Sequence, residues 1–215
     1  MVTTKELNII IAGVGGQGVV LMSELLGNAA VRDGIAVKGS EVLGMAQRGG
    51  SVFSNIRLGG GAYAPLTPEG KGDIIVALEP SEALRNISYL SRSGLVVLNT
   101  RRVIPFTVFL GRSRYPAMEE ILAKLNEVTD RVVTLDAARM AGEAGSLQAA
   151  NVVMLGALFG SGLMPVKTET IRAVIRSRFP AGAAATNIRA FDLGCQDVQR
   201  ALEKIAVDAG ISRPA

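Results

Sequence analysis

The sequence predicts an α/β protein, a three-layer α/β/α sandwich on a mostly parallel, mixed sheet that opens with a Rossmann-like βαβ unit. Three observations carry that prediction. Short apolar runs without alternation, such as residues 7–12, 73–78 and 94–100, read as strands covered on both faces. Amphipathic stretches of helical period lie between them, and alternating strands and helices build a layered, largely parallel sheet. Apolar residues make up 48% of the 215-residue chain and aromatics 4%, so the core is built from Val, Ile, Leu, Ala and Met. That length suits one domain, 1–215, with little room for two.

The first unit is the most informative. Leu7, Ile9, Ile10, Ile11 and Ala12 form a buried strand, and Gly13, Gly15 and Gly18 follow in G-x-G-x-x-G register, with Gly16 and Gln17 between them. Val19, Val20, Met22, Leu25, Leu26, Ala29 and Ala30 then repeat as a helix. Strand, glycine turn and helix form the context in which this fingerprint has a mechanism: glycines permit close backbone approach, and the helix start offers unpaired N–H groups to an anion. A tight βα turn with no ligand uses the same residues. Asp33-Gly34 turns the chain into a second strand at 35–40. An acid about 20 residues past the first glycine would bind a ribose. Asp33 has that spacing but precedes the second strand, and Glu41 comes late, so a standard NAD site is disfavoured.

Residues 41–50, EVLGMAQRGG, read as a loop at the same sheet edge as the glycine turn. Open α/β sheets bind ligands there. Glu41, Gln47, Arg48, Gly49 and Gly50 are its candidate ligand- or partner-facing residues. Arg48 offers a fork of donors to a phosphate or carboxylate; a structural loop whose arginine pairs with a neighbouring acid is the other reading.

Residues 51–58 form a strand, and Gly59 to Gly61 turn the chain towards 62–64, with a hairpin as one reading of that turn. Ser81 is expected to cap a helix reaching Leu90. Pro105 makes 103–111 an edge strand or loop. A helix from Pro116 to Glu127, a strand at 131–135 and a helix capped by Asp136 follow. Leu147, Val152, Leu155 and Phe159 mark a central packed helix at 147–160. Thr168 is expected to cap a helix to Phe179. A last helix runs 187–209, with Ile188, Phe191, Leu193, Val198 and Leu202 facing the core. Residues 142–145 and 181–185 read as short flexible links.

Composition narrows the chemistry. The chain has no histidine and a single cysteine, Cys195. It has no Ser-His-Asp or Cys-His machinery, no His-ligated metal site, and no ligand set for an iron–sulfur cluster or Cys-rich zinc site. No catalytic residue and no metal site are assigned. Cys195 is placed at a surface-to-helix junction. Gly72-Asp73 followed by Asn99 only superficially matches a thiamine diphosphate motif, because Ile74 and Thr100 stand where glycine and asparagine are needed. The net charge of +4 is spread out, without the basic stripe and stacking aromatics of a nucleic-acid binder. No apolar run reaches the roughly 18 residues of a membrane span. Lys5 and Glu6 directly precede the first apolar run, unlike a signal peptide. A cytoplasmic protein with no nucleic-acid or membrane partner is expected.

Taken together, GVGGQGV at 13–19, EVLGMAQRGGSVFSNIRLG at 41–59, GDIIVALEPSEALR at 72–85, NVVMLGAL at 151–158 and NIRAFDLG at 187–194 resemble the gamma-type subunits or domains of the 2-oxoacid:ferredoxin oxidoreductases. The short stand-alone form is most similar to the beta subunits of indolepyruvate:ferredoxin oxidoreductases. The resemblance implies an α/β subunit that binds no cofactor alone. Thiamine diphosphate and [4Fe-4S] clusters belong to a larger partner, which decarboxylates an aryl 2-oxoacid, passes the acyl group to coenzyme A and reduces ferredoxin. It also implies that the turn at Gly13, Gly15, Gly16, Gln17 and Gly18 and the loop at 47–50 complete the partner's active-site cleft. Met45, Phe53 and residues 103–110 are candidate interface positions.

Overall fold

A computed structural model describes residues 5–44, 49–60 and 64–208. One six-stranded sheet runs through it, in the order β2-β3-β1-β4-β5-β6. The strands are β1 (Leu7–Val14), β2 (Val37–Leu43), β3 (Ser51–Leu58), β4 (Gly72–Ala77), β5 (Leu90–Asn99) and β6 (Val132–Leu135). β1, β4, β5 and β6 pair in parallel, whereas β3 is antiparallel to both β1 and β2. The sheet is therefore mixed, as expected. β1 and β2 run in the same direction, joined by a crossover helix, but β3 lies between them. That placement brings the β2–β3 hairpin beside the glycine turn.

Helices cover both faces. β1 shows how: Ile9 and Ile11 point into one core and Ile10 and Ala12 into the other, the period-2 alternation of a strand buried on both sides. Against the first face pack α1 (Val19–Arg32), α5 (Ala137–Ala144), α6 (Ala150–Gly160), α7 (Thr168–Arg178) and α8 (Ala181–Asp208). The second face carries α2 (Pro80–Arg85) and α4 (Met118–Asn126). A four-residue helix, α3 (Phe106–Phe109), lies between β5 and α4.

α6 is buried on every side from Asn151 to Gly160, between the sheet and α8. Gly156, Gly160 and Gly194 allow that approach: a Cβ on Gly156 would lie 1.9 Å from the Phe191 carbonyl oxygen. The rings of Phe159 and Phe191 meet edge to face, 5.4 Å apart.

Several local expectations are corrected. Glu79, not Ser81, caps α2; its carboxylate accepts from the backbone N–H of Ser81 and Glu82, with Pro80 leading the helix. α2 ends at Arg85, and a 3₁₀ turn at Ile87–Tyr89 leads into β5, which starts at Leu90. Thr168 is the first residue of α7 rather than its cap. The Asp33 carboxylate supplies the missing cap from another helix, accepting from Lys167 N at 2.7 Å and Thr170 Oγ1 at 2.6 Å. Residues 142–144 are helical, and Gly145 ends α5 at φ 108°. Residues 181–185 are the first turns of α8. Leu147 is exposed in a 3₁₀ turn ahead of α6. Cys195 is half-buried within α8, where burial pushes its thiol up. Among the described residues no helix is long and apolar enough to cross a membrane.

Candidate functional site

The C-terminal ends of β1 and its parallel neighbour β4 lie side by side, with the β2–β3 hairpin next to them. The glycine turn is built by distinct means at each position. Gly13 is still strand, paired with Val52; a Cβ there would meet the Gln17 Oε1 atom at 2.8 Å and Val19 at 3.0 Å. Gly16 and Gly18 have φ of 95° and 85°, the left-handed region that glycine enters without steric cost. Gly18 also abuts Asn151 at the start of α6, 2.3 Å from where its Cβ would sit. Gln17 is not free to meet a ligand. Its Oε1 accepts from Val14 N at 2.9 Å and its Nε2 donates to the Leu78 carbonyl at 3.1 Å. That carbonyl also accepts from the buried Asn99 Nδ2 at 2.9 Å.

The hairpin is clipped to this turn. Gly15 N donates to the Gly50 carbonyl at 2.8 Å, and Gly49 N donates to the Gly15 carbonyl at 3.2 Å. Gly44 N donates to the Ser51 carbonyl at 2.9 Å, closing the hairpin. Gln47, Arg48 and Met45 lie outside the described residues. Glu41, expected in the loop, instead belongs to β2 and is exposed. It lines a separate cavity of about 440 Å³ with Ser23, Glu24 and Ser54.

Beside the turn lies a cleft of about 600 Å³. Gly15, Gly16, Gly18 and the first residues of α1 form one wall; Leu43, Gly44 and Val52 of the hairpin form the other. Gly18 precedes α1 without a side-chain cap, so the N–H groups of that first turn open onto the cleft and carry the positive end of the helix dipole. Arg178, at the C-terminal end of α7, reaches the same cleft and pairs with Glu24 at 3.2 Å, both about half-exposed. Arg178 escaped sequence reasoning because only the packing of α7 on α1 brings it to the turn, where it meets Glu24 of the helix that starts there. An apolar cleft with an uncapped helix start and one exchangeable cation can hold a ligand that is part hydrocarbon and part oxyanion.

Buried acids hold the rest of this edge. Glu82 accepts from Ser51 Oγ at 2.5 Å and pairs with Arg85 Nε at 3.1 Å, fixing the residue that follows Gly49-Gly50. Burial raises the Glu82 pKa; the Ser51 hydrogen bond and Arg85 oppose that rise, and Glu79 adds to it. A carboxyl raised in the folded state stabilises most when protonated, and its contribution is lost as pH rises through the raised value. Glu82→Gln is therefore expected to gain stability relative to wild type as pH climbs past 4.5, measured by urea unfolding at pH 4 and 7. A gap that stays constant across that range would refute this. Asp73, at the opposite edge, accepts from Asn8 N at 2.7 Å and has a structural role. Asp33 is occupied by α7 and lies at the far end of α1 from the glycine turn, so it holds no ribose there. Phe53 is half-buried against Tyr89, ring centroids 6.0 Å apart. Among the described residues no three His, Cys, Asp or Glu side chains group to hold a metal. One cysteine and no histidine in the whole chain do not fit an iron–sulfur cluster.

Glycine turn, hairpin clip and mixed sheet together define an α/β domain on a mixed six-stranded sheet. Residues 8–196 match the family described as pyruvate ferredoxin/flavodoxin oxidoreductase, and the chain belongs to that oxidoreductase family. It is 44% identical over 189 residues to the indolepyruvate oxidoreductase subunit IorB of Archaeoglobus fulgidus, covering 88% of this chain and 94% of that one. In fold it is similar to the gamma subunit of a keto/oxoacid ferredoxin oxidoreductase from Geobacter sulfurreducens, with TM-score 0.64, 21% identity and coverage of 90% and 99%. It also matches part of a 2-oxoglutarate:ferredoxin oxidoreductase from Magnetococcus marinus solved with 2-oxoglutarate, coenzyme A and succinyl-CoA bound. There the TM-score is 0.69 and the identity 22%, over 92% of this chain and 32% of that one.

Proposed function

We propose that this chain is the cluster-free subunit of an indolepyruvate- or arylpyruvate-oxidising ferredoxin oxidoreductase. The complex decarboxylates the 2-oxoacid, transfers the acyl group to coenzyme A and reduces ferredoxin. Thiamine diphosphate and [4Fe-4S] clusters reside on a larger partner subunit, and the chain works in the cytoplasm. The observation that carries the reading is the glycine turn clipped to the β2–β3 hairpin beside an uncapped helix start. Such a rim suits coenzyme A, whose phosphates match the uncapped first-turn N–H groups at 19–21 and whose pantetheine arm matches the apolar walls. Within the turn at 15–18, Gly15 N and Gln17 N are taken by the Gly50 and Val14 carbonyls. Arg48 and Arg178 are the two candidate clamps for its phosphates. The substrate assignment is supported by the 44% identity to an indolepyruvate oxidoreductase subunit.

The test is to purify the complex from native extract and assay coenzyme A-dependent viologen reduction with a panel of aryl and aliphatic 2-oxoacids. A brown complex with a preference for indolepyruvate supports the reading; preference for pyruvate or 2-oxoisovalerate keeps the subunit role and changes the substrate. A colourless chain that purifies alone with a bound nucleotide overturns it. Within an active complex, Arg178→Ala is expected to raise KM for coenzyme A about tenfold, the loss of one charge-assisted contact of ~1.5 kcal/mol, with kcat unchanged. An unchanged KM in Arg178→Ala and a raised one in Arg48→Ala would move the clamp to the hairpin.

A further inference from the structure

The structure presents one apolar surface held in place at both ends. From Arg101 to Tyr115 the chain leaves β5, turns through α3 and returns to α4. Phe106 and Phe109 are each 73% exposed and Leu110 is 50% exposed. Three large apolar side chains side by side on the surface mark an interaction site, where scattered ones would not. The arch is fixed by one buried carboxylate: Glu79 Oε1 accepts from Val103 N at 3.3 Å and from the Tyr115 hydroxyl. Its interior is closed by Arg112 N to the Thr107 carbonyl at 2.9 Å and Ser113 Oγ to Thr107 Oγ1 at 2.8 Å. A preorganised surface loses little entropy on docking.

Charge identifies the kind of occupant. Residues 101–115 carry Arg101, Arg102, Arg112 and Arg114 and no acid. Arg114 pairs with Glu120; Arg101, Arg102 and Arg112 are exposed and make no ion pair among the described residues. A second copy presenting the same patch would set arginine against arginine, which like-charge repulsion opposes. A four-residue helix is too short to lie in a bilayer interface as an amphipathic anchor. We propose that this arch docks the larger partner subunit, inserting Phe106 and Phe109 into an apolar pocket whose rim is acidic. The proposal rests on the subunit reading above and adds the face by which the chain binds.

The test compares tagged chains co-purified with the larger subunit, recognised by its thiamine diphosphate and iron content. Phe106→Ser/Phe109→Ser is expected to weaken the complex ~30-fold or more, the loss of one or two interface hot spots, at an unchanged melting temperature. Leu147→Ser, an exposed apolar residue elsewhere, is expected to bind as wild type. Arg101→Glu/Arg102→Glu is expected to slow association and flatten its salt dependence. Wild-type recovery by the double serine variant, with the larger subunit bound, overturns the docking face and leaves the subunit reading intact. Failure of the wild-type chain itself to retrieve a larger subunit overturns both. If the serine variant keeps the subunit but no longer binds phosphatidylglycerol vesicles that the wild type binds, the patch is a lipid contact and the proposal fails.

Discussion

Replacing Gly156 with alanine is expected to lower stability by about 3 kcal/mol or more, at the upper end of what overpacking costs. The new methyl would sit 1.9 Å from the Phe191 carbonyl oxygen, and that oxygen is backbone, so no rotamer change relieves the clash. α6 is buried on both sides and cannot move away. Gly160 and Gly194 face the same crossing, with Cβ positions 2.3 Å from the Cys195 carbonyl and 2.0 Å from the Val153 carbonyl, so each substitution should act in the same direction. Alanine's better helix propensity, roughly 1 kcal/mol, is too small to offset the clash. The internal control is Gly27, within α1, where an added Cβ meets nothing within 4 Å; Gly27→Ala is expected to stabilise slightly. Against a total stability of about 5–15 kcal/mol, the Gly156 variant should melt roughly 10 °C lower in calorimetry. A melting point within 2 °C of wild type would show that the two helices separate more easily than their packing implies.

Glu79→Ala is expected to have the second large effect. This side chain is fully buried and, among the described residues, makes no ion pair. Its carboxyl group accepts hydrogen bonds from Ser81 N at 2.7 Å, Ser81 Oγ at 2.6 Å, Glu82 N at 3.2 Å, Val103 N at 3.3 Å and the Tyr115 hydroxyl. Removing the carboxylate leaves these donors without their acceptor, and each unsatisfied buried group costs about 1–3 kcal/mol. Water entering the vacated space recovers part of that, so a net loss on the order of 3 kcal/mol is expected. Exchange of the Ser81 and Val103 amides should accelerate together, because one group protects both. Tyr115, whose hydroxyl burial pushes up, with Glu79 adding to the rise, should ionise at lower pH in the variant; spectrophotometric titration reads this. Protection lost at Ser81 but retained at Val103 would mean that the arch has a second anchor.

Much of this site was legible in the sequence, and the gaps have physical causes. The glycine turn was readable because its constraint is local: a strand must end, a helix must begin, and Gly16 and Gly18 need positive φ. The placement of β3 between β1 and β2 was not. Alternation and β-branching identify a strand, but its neighbours are chosen by tertiary packing. Glu79 escaped because serine is the commoner cap, and the sequence does not reveal how deeply the residue before Pro80 is buried. Residues 181–185 misled because glycine drew attention from the run of alanine, the strongest helix former. Arg178 and Asp33 act between helices far apart in the chain, which no local pattern reports. The Phe106–Leu110 surface was visible as an apolar stretch, but its exposure is a property of the fold.

The hairpin clip bears on how this rim can change over evolutionary time. The two walls of the cleft are inherited under different rules. The glycine-turn wall is bound to the core by Gly13, Gln17 and Gly18, so almost any mutation there is a folding mutation. Among the described residues the hairpin wall is anchored by backbone contacts at Gly44, Gly49, Gly50 and Ser51 and by the Ser51 hydroxyl on Glu82, all of them outside the 45–48 window. Variants at residues 45–48 that leave these anchors intact are therefore expected to keep the strand register. For an engineer seeking altered specificity, that four-residue window is the place to build a library.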